Sequence, residues 1–132
     1  MTDNSLDSRD QPTANSSAEP AAWITMPEVS ERLDLVITRV HQLIRDGNLI
    51  AFRRDGVLRV PADLIGVDAD GKPAVVKHLS GVLTLLRDTG YTDDEILRWL
   101  YTADDSLPGT PAQALRENRG TEVKRRAQAA GF

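Results

Sequence analysis

The 132-residue chain has no cysteine, which excludes disulfides and thiolate metal sites and fits a reducing compartment. Its two histidines, His41 and His78, are too isolated to form a ligand set or a catalytic dyad. No stretch approaches the ~20 apolar residues of a membrane span, and the acidic start is not a signal peptide. A soluble, cytoplasmic protein without membrane contact is expected. Excess positive charge is also missing, since the formal net charge is −4. No set of nucleophile, base and orienting group can be assembled from these residues, so an enzyme is the least expected class, and neither a metal nor a cofactor is expected.

What is present is concentrated between Trp23 and Ile65. Thr25 with Glu28 three residues later forms a capping box, and Pro27 costs little in a first turn whose amides have no intrahelical partner. Met26, Val29 and Leu33 recur at helical spacing, which predicts a helix to about Leu33. Asp34-Leu35 makes the turn. Val36, Val40, Leu43 and Ile44 then give a second helix a buried face, ended by Gly47 as a left-handed cap.

At 100° per residue, Thr38, His41, Gln42 and Arg45 fall in one outward sector of that helix, with Arg39 flanking it. All four can hydrogen-bond to base edges or phosphates, although any surface helix turns polar residues outward. Leu49 to Arg54 and Val57 to Val60 read as two strands joined by Asp55-Gly56, a turn pair favoured in hairpins, with Pro61 stopping the pairing. Phe52, Leu58 and Val60 can pack this ribbon on the helices while Arg53, Arg54 and Arg59 at its tip reach phosphate. Three arginines on a hairpin can equally be solubilising charge.

The runs Thr25 to Leu33, Val40 to Ala51 and Arg59-Val60-Pro61 resemble the excisionase and MerR-type winged helix-turn-helix. The resemblance implies that the helix over residues 37–46 enters the major groove of double-stranded DNA and that the hairpin touches the backbone. Where that family usually has a Ser or Thr cap for the second helix, this chain has Val36, and a common small turn residue is Asp34 here.

Residues 1–22 lack periodicity, carry four acids against one arginine, and are expected to be a disordered acidic tail. Thr2, Ser5, Ser8, Thr13, Ser16 and Ser17 are hydroxyls open to a kinase, each phosphate adding roughly −1.5 to −2 charges. Such a tail either competes with DNA for the basic surface or is an inert solubiliser. Residues 23–65 balance six acids with six bases, residues 66–109 have eight acids against four bases, and residues 110–132 have two acids against five bases. DNA binding therefore requires that the bases be segregated, because attraction depends on the local patch.

Residues 66–132 read as a small helical subdomain packed on the first unit. A Gly/Asp/Pro-marked connector leads through a short strand near Ala74-Val75-Val76 into an apolar helix with Val82, Leu83, Leu85 and Leu86, ended by Gly90. Thr92 to Glu95 is a second capping box, Thr110-Pro111 opens another helix, and a last helix follows Gly120 with Val123, Ala127 and Ala130 inward. Its outward Lys124, Arg125 and Arg126 are either secondary phosphate contacts or charge near a helix C-terminus. Asp93, Asp94 and Glu95 complement a helix dipole, and Asp104 and Asp105 have turn composition, so none is read as a metal ligand. Tyr91, Trp99 and Tyr101 are read as core aromatics.

The segments Trp99-Leu100-Tyr101 and Leu107 to Leu115, with Val123 and Gly131, are similar to the helical C-terminal domain of Xre/MbcA/ParS-type antitoxins, which implies a protein partner for the C-terminal helices. The whole run from Trp23 to Phe132, with Gly90 to Leu100 and Glu122 to Ala129, resembles an actinobacterial family of winged helix-turn-helix DNA-binding proteins. That family has a disordered N-terminal tail, and its mycobacterial form is regarded as a substrate of a Ser/Thr protein kinase. The expectation is a mainly α protein: a winged helix-turn-helix with a two-stranded wing, then a helical bundle. Its expected function is transcriptional or nucleoid-associated regulation through DNA. The alternative is an antitoxin-like or adaptor protein acting through its C-terminal helices.

Overall fold

The computed structural model describes residues 19–103 and 109–130. Of the tail expected to be disordered over residues 1–22, residues 1–18 with the six candidate hydroxyls lie outside the described residues, as do Asp104 and Asp105. Residues 19–22 are described and depart from that expectation, with Pro20 buried and the Ala22 carbonyl accepting from the Ala62 amide.

The chain opens with a short strand β1 (Trp23–Thr25), followed at once by helix α1 (Met26–Leu33). The capping box at their junction is complete: the Thr25 amide donates to Glu28 Oε1 at 2.8 Å and the Glu28 amide to Thr25 Oγ1 at 3.4 Å. Asp34 ends α1 in the left-handed conformation at φ 55°, and Ser30 Oγ donates to the Leu35 carbonyl across the turn. Helix α2 (Ile37–Arg45) starts from Val36 with no side-chain cap. It ends in a Schellman arrangement around Gly47 at φ +79°, the Asn48 amide donating to the Leu43 carbonyl and the Gly47 amide to that of Ile44. Leu49 and Ile50 are not in a strand; they plunge into the core before the sheet resumes.

Strands β2 (Phe52–Arg54) and β3 (Val57–Pro61) form the hairpin, with Asp55 at φ 55° and Gly56 at φ +78° giving the type I′ geometry that matches strand twist. The wing is not two-stranded as the sequence predicts. β1 pairs antiparallel with the other side of β3, giving the order β1-β3-β2, with Trp23 opposite Pro61 and Thr25 opposite Arg59. Pro61 therefore ends the strand from inside it, and the Ala62 amide continues the ladder to the Ala22 carbonyl.

A 3-10 turn (Ala62–Leu64) leads into a second hairpin of β4 (Ile65–Val67) and β5 (Pro73–Val75), closed by Asp68, whose side chain accepts from the Asp70 and Lys72 amides. Four helices follow: α3 (Leu79–Asp88), α4 (Asp93–Leu100), α5 (Pro111–Arg116) and α6 (Gly120–Ala129). The Thr92/Glu95 capping box and the Thr110 cap with Pro111 at the first position form as the sequence predicts.

One buried cluster runs through both halves, from Val29, Val40, Ile50 and Val60 to Leu79, Leu83, Leu86, Ile96 and Leu100. Arg116 on α5 fastens the halves by donating to the Asp63 and Ile65 carbonyls at 2.9 and 3.3 Å. α6 crosses α3 closely enough that the Lys124 stem covers Gly81 and the His78 ring fills the place where a side chain at Gly120 would sit. Of the three expected core aromatics only Tyr101 is buried, and that burial pushes its hydroxyl well above the ordinary tyrosine range, with Asp63 beside it adding to the effect. Tyr91 and Trp99 are half-buried and, with Glu95, Arg98, Thr102, Ala103 and Pro111, line an open groove of about 340 Å³.

Candidate nucleic-acid interface

Helix α2 is anchored through Val40, which is fully buried, and through the half-buried Leu43 and Ile44. That anchorage turns Thr38, Arg39 and Arg45 to solvent, while His41 and Gln42 are half-buried beside them. The polar sector is pre-ordered along its C-terminal half: Arg45 Nη2 donates to Gln42 Oε1 at 2.8 Å, and Gln42 Nε2 donates to Asp46 Oδ1 at 2.7 Å. Gln42 thus has both ends of its amide engaged by neighbours on the same element, which orients it while leaving its second N–H and second oxygen lone pair for a base edge.

The helix start departs from the sequence expectation. Val36, predicted on the buried face, is 67 % exposed, and Ile37 is 42 % exposed. Helical periodicity does not govern Val36, because it precedes the helix in extended conformation at φ −65°, ψ 151°. No acidic residue occupies the first turn of α2.

The wing arginines do not share one tip. Residues directly opposite in an antiparallel pair share a face, so Arg54 lies with Val57, and Arg59 with Phe52 and Thr25, on one side of the sheet. Arg53 lies with Leu58 on the other side and is exposed. Arg54 is held twice: its guanidinium sits 4.6 Å over the Trp23 ring, and Nη2 pairs with Glu19 Oε1 at 2.7 Å. Trp23 is itself braced edge-on by Phe52 at 5.7 Å.

Arg59 belongs to the central strand rather than the tip. It is half-buried, and its Nε is buried without a hydrogen-bond partner among the described residues. The Thr25 amide and hydroxyl hold the Glu28 carboxyl below its usual range, with smaller help from Arg32 and Arg59. In the C-terminal subdomain Arg125 and Arg126 are exposed at about 100° to each other around α6, while Lys124 lies half-buried against α3. The Glu19–Arg54–Trp23 stack and the exposed pair Val36-Ile37 are the features that sequence reading missed. The first had no local signal, whereas the non-polar residue at the cap position of α2 marked the second.

Comparison with known proteins follows the same division. Residues 12–65 match a family described as DNA-binding protein Rv2175c, wHTH domain, and residues 76–131 match one described as Rv2175c C-terminal domain of unknown function. Over 119 residues the chain is 40 % identical to the DNA-binding protein Rv2175c of Mycobacterium tuberculosis (strain ATCC 25618 / H37Rv), covering 81 % of this chain and 79 % of that protein. The NMR structure of Rv2175c superposes with a TM-score of 0.72 at 36 % identity, covering 98 % of this chain and 87 % of that one. With a winged helix-turn-helix of three strands joined, among the described residues, to a C-terminal unit of four helices, and this identity across both, the chain belongs to the Rv2175c family of winged helix-turn-helix DNA-binding proteins.

Proposed function

We propose that the protein is a double-stranded-DNA-binding regulator of transcription or of the nucleoid. α2 lies in the major groove, with Thr38, Arg39, His41, Gln42 and Arg45 meeting base edges and flanking phosphates. Arg53 and Arg54 contact phosphates from opposite faces of β2, Arg59 on the neighbouring central strand is a further phosphate contact, and Lys124, Arg125 and Arg126 serve as secondary ones. The observation that carries this reading is the uncovered polar sector of α2 beside an arginine-bearing I′ hairpin, in a chain of a DNA-binding family.

The acidic tail tunes this activity. Glu19 already pairs with Arg54, and phosphorylation of the hydroxyls between Thr2 and Ser17 by a Ser/Thr kinase would add negative charge to the same surface. Binding of a labelled mixed-sequence duplex, measured across a salt series with and without residues 1–19, which leaves the buried Pro20 and the Ala22 carbonyl of the sheet in place, tests both parts. Binding that falls steeply with salt and tightens without the tail is expected. No binding at low salt without the tail would favour the second reading, an antitoxin-like or adaptor protein. That reading's own observation is the open groove lined by Tyr91, Trp99 and Pro111 in the C-terminal unit.

A further inference from the structure

The start of α2 breaks two local rules at once. A helix N-cap position favours Ser, Thr, Asp or Asn, yet Val36 offers the first-turn amides no side-chain acceptor. Val36 and Ile37 expose apolar side chains to water at 67 % and 42 %. They do so next to one another, on an element whose other apolar residues, Val40, Leu43 and Ile44, are all turned inward. Sites where local preference is broken without a packing return are where function is expected to supply the compensation.

The position says what the compensation is. Ile37, His41 and Arg45 follow at i, i+4 and i+8, so Ile37 heads the ridge that continues through the candidate base-reading residues. In helix-turn-helix docking the N-terminal residues of the reading helix lie deepest against base edges. The one apolar group that bases present in the major groove is the C5 methyl of thymine. The first turn of α2 carries no acid to repel the approaching backbone.

We propose that Val36 and Ile37 are the specificity-determining residues for thymine: they close over thymine methyl groups in the major groove, so the preferred DNA carries thymine where the first turn of α2 meets the bases. This rests on the major-groove reading of α2 given above. Each methyl removed from water contributes a discrimination of about four-fold, from the transfer free energy of one buried carbon.

The experiment uses the full chain and a randomised duplex pool. Sequences selected from the thymine-containing pool are remade with deoxyuridine in place of thymidine, which deletes only the methyl. The wild type is expected to bind the uracil version about four-fold to fifteen-fold more weakly, for one or two methyls. Val36→Ser and Ile37→Ala are expected to bind the two versions more nearly alike. Val36→Ser supplies a helix cap, so loss of folding does not confound it, and the wild-type comparison needs no variant at all.

Equal wild-type binding to both duplexes, with Arg45→Ala still weakening binding, would overturn the thymine assignment and leave the major-groove reading standing. Unchanged binding in both Arg39→Ala and Arg45→Ala would overturn that reading itself. A shift from dimer to monomer in Val36→Ser, by sedimentation, with the uracil penalty intact, would overturn the assignment by placing the pair between two copies of the chain.

Discussion

Arg54 offers the sharpest test of how the acidic N-terminal segment meets the wing. Its pairing partner Glu19 is 49 % exposed and Arg54 itself 38 %, so the ion pair is a solvent-screened one worth about 0.2–1 kcal/mol. A phosphate that approaches Arg54 competes with Glu19 for its guanidinium. Glu19→Gln removes that competition but leaves the stacking on Trp23, which keeps the guanidinium in place. The expected result is duplex binding tightened by up to about five-fold at low salt, the upper end of that pair energy. Arg54→Ala removes one phosphate contact, so the dependence of log K on log salt becomes shallower by about 0.9. Fluorescence anisotropy of a labelled duplex from about 50 to about 200 mM salt reads both effects. The discriminating result is the double variant, in which Glu19→Gln is expected to do nothing once Arg54 is alanine. Equal tightening in both backgrounds would refute the pairwise competition and make Glu19 one more charge in a diffuse field.

Gly120→Ala should destabilise by about 1–3 kcal/mol, because the new methyl enters the His78 ring. In a His78→Gly background the same change should become neutral or stabilising, as alanine outranks glycine in a helix; thermal melts of the four proteins check this, and equal losses in both backgrounds would refute it. Gly47→Ala combines a strained φ of +79° with a close approach to Arg87 Nη1, so it should cost about 1–2 kcal/mol in chemical denaturation, only partly recovered by Arg87→Ala. Glu95, held below its usual range first by the Thr92 amide and then by the Thr92 hydroxyl, should return only partway in Thr92→Ala, since the amide donor survives; carboxyl NMR titration reads it. Because this pKa is depressed on folding, the stabilisation it brings is complete above the ordinary glutamate range and is lost as pH falls through the lowered value, so an acid melt of Thr92→Ala should show less of that loss.

Helix caps and the tight hairpin turn, which are complete within four residues, were readable from the sequence, although the Gln42 pairings and the Asp68 turn of similar span were not. Thr25 with Glu28, Thr92 with Glu95, Thr110 with Pro111, and Asp55-Gly56 all form what their spacing predicts. β1 was hidden because Trp23-Ile24-Thr25 is too short to show a period and its partner, Arg59-Val60-Pro61, is distant in the chain. That unseen strand makes the strand of Arg59 central, whereas its distance from the tip was legible, since the Asp55-Gly56 turn already sets Phe52 opposite Arg59. The opposed faces of Arg53 and Arg54 were legible, since adjacent strand residues must alternate. At the candidate interface, periodicity found the outward sector of α2 but assigned Val36 to the core by extending a helical rule one residue past the helix.

The pairing of Trp23 with Pro61 fixes an order of events during synthesis. β1 is the first ordered segment of the described residues to leave the ribosome, yet it has no partner until β3 has followed it out. At roughly 5–20 residues per second the wait lasts on the order of a few seconds. Through that interval β1 has no strand partner, and the edge-on contact of Trp23 with Phe52 cannot be made. The indole of Trp23 is therefore a clock for closure of the reading unit, its emission changing when the last strand captures the first.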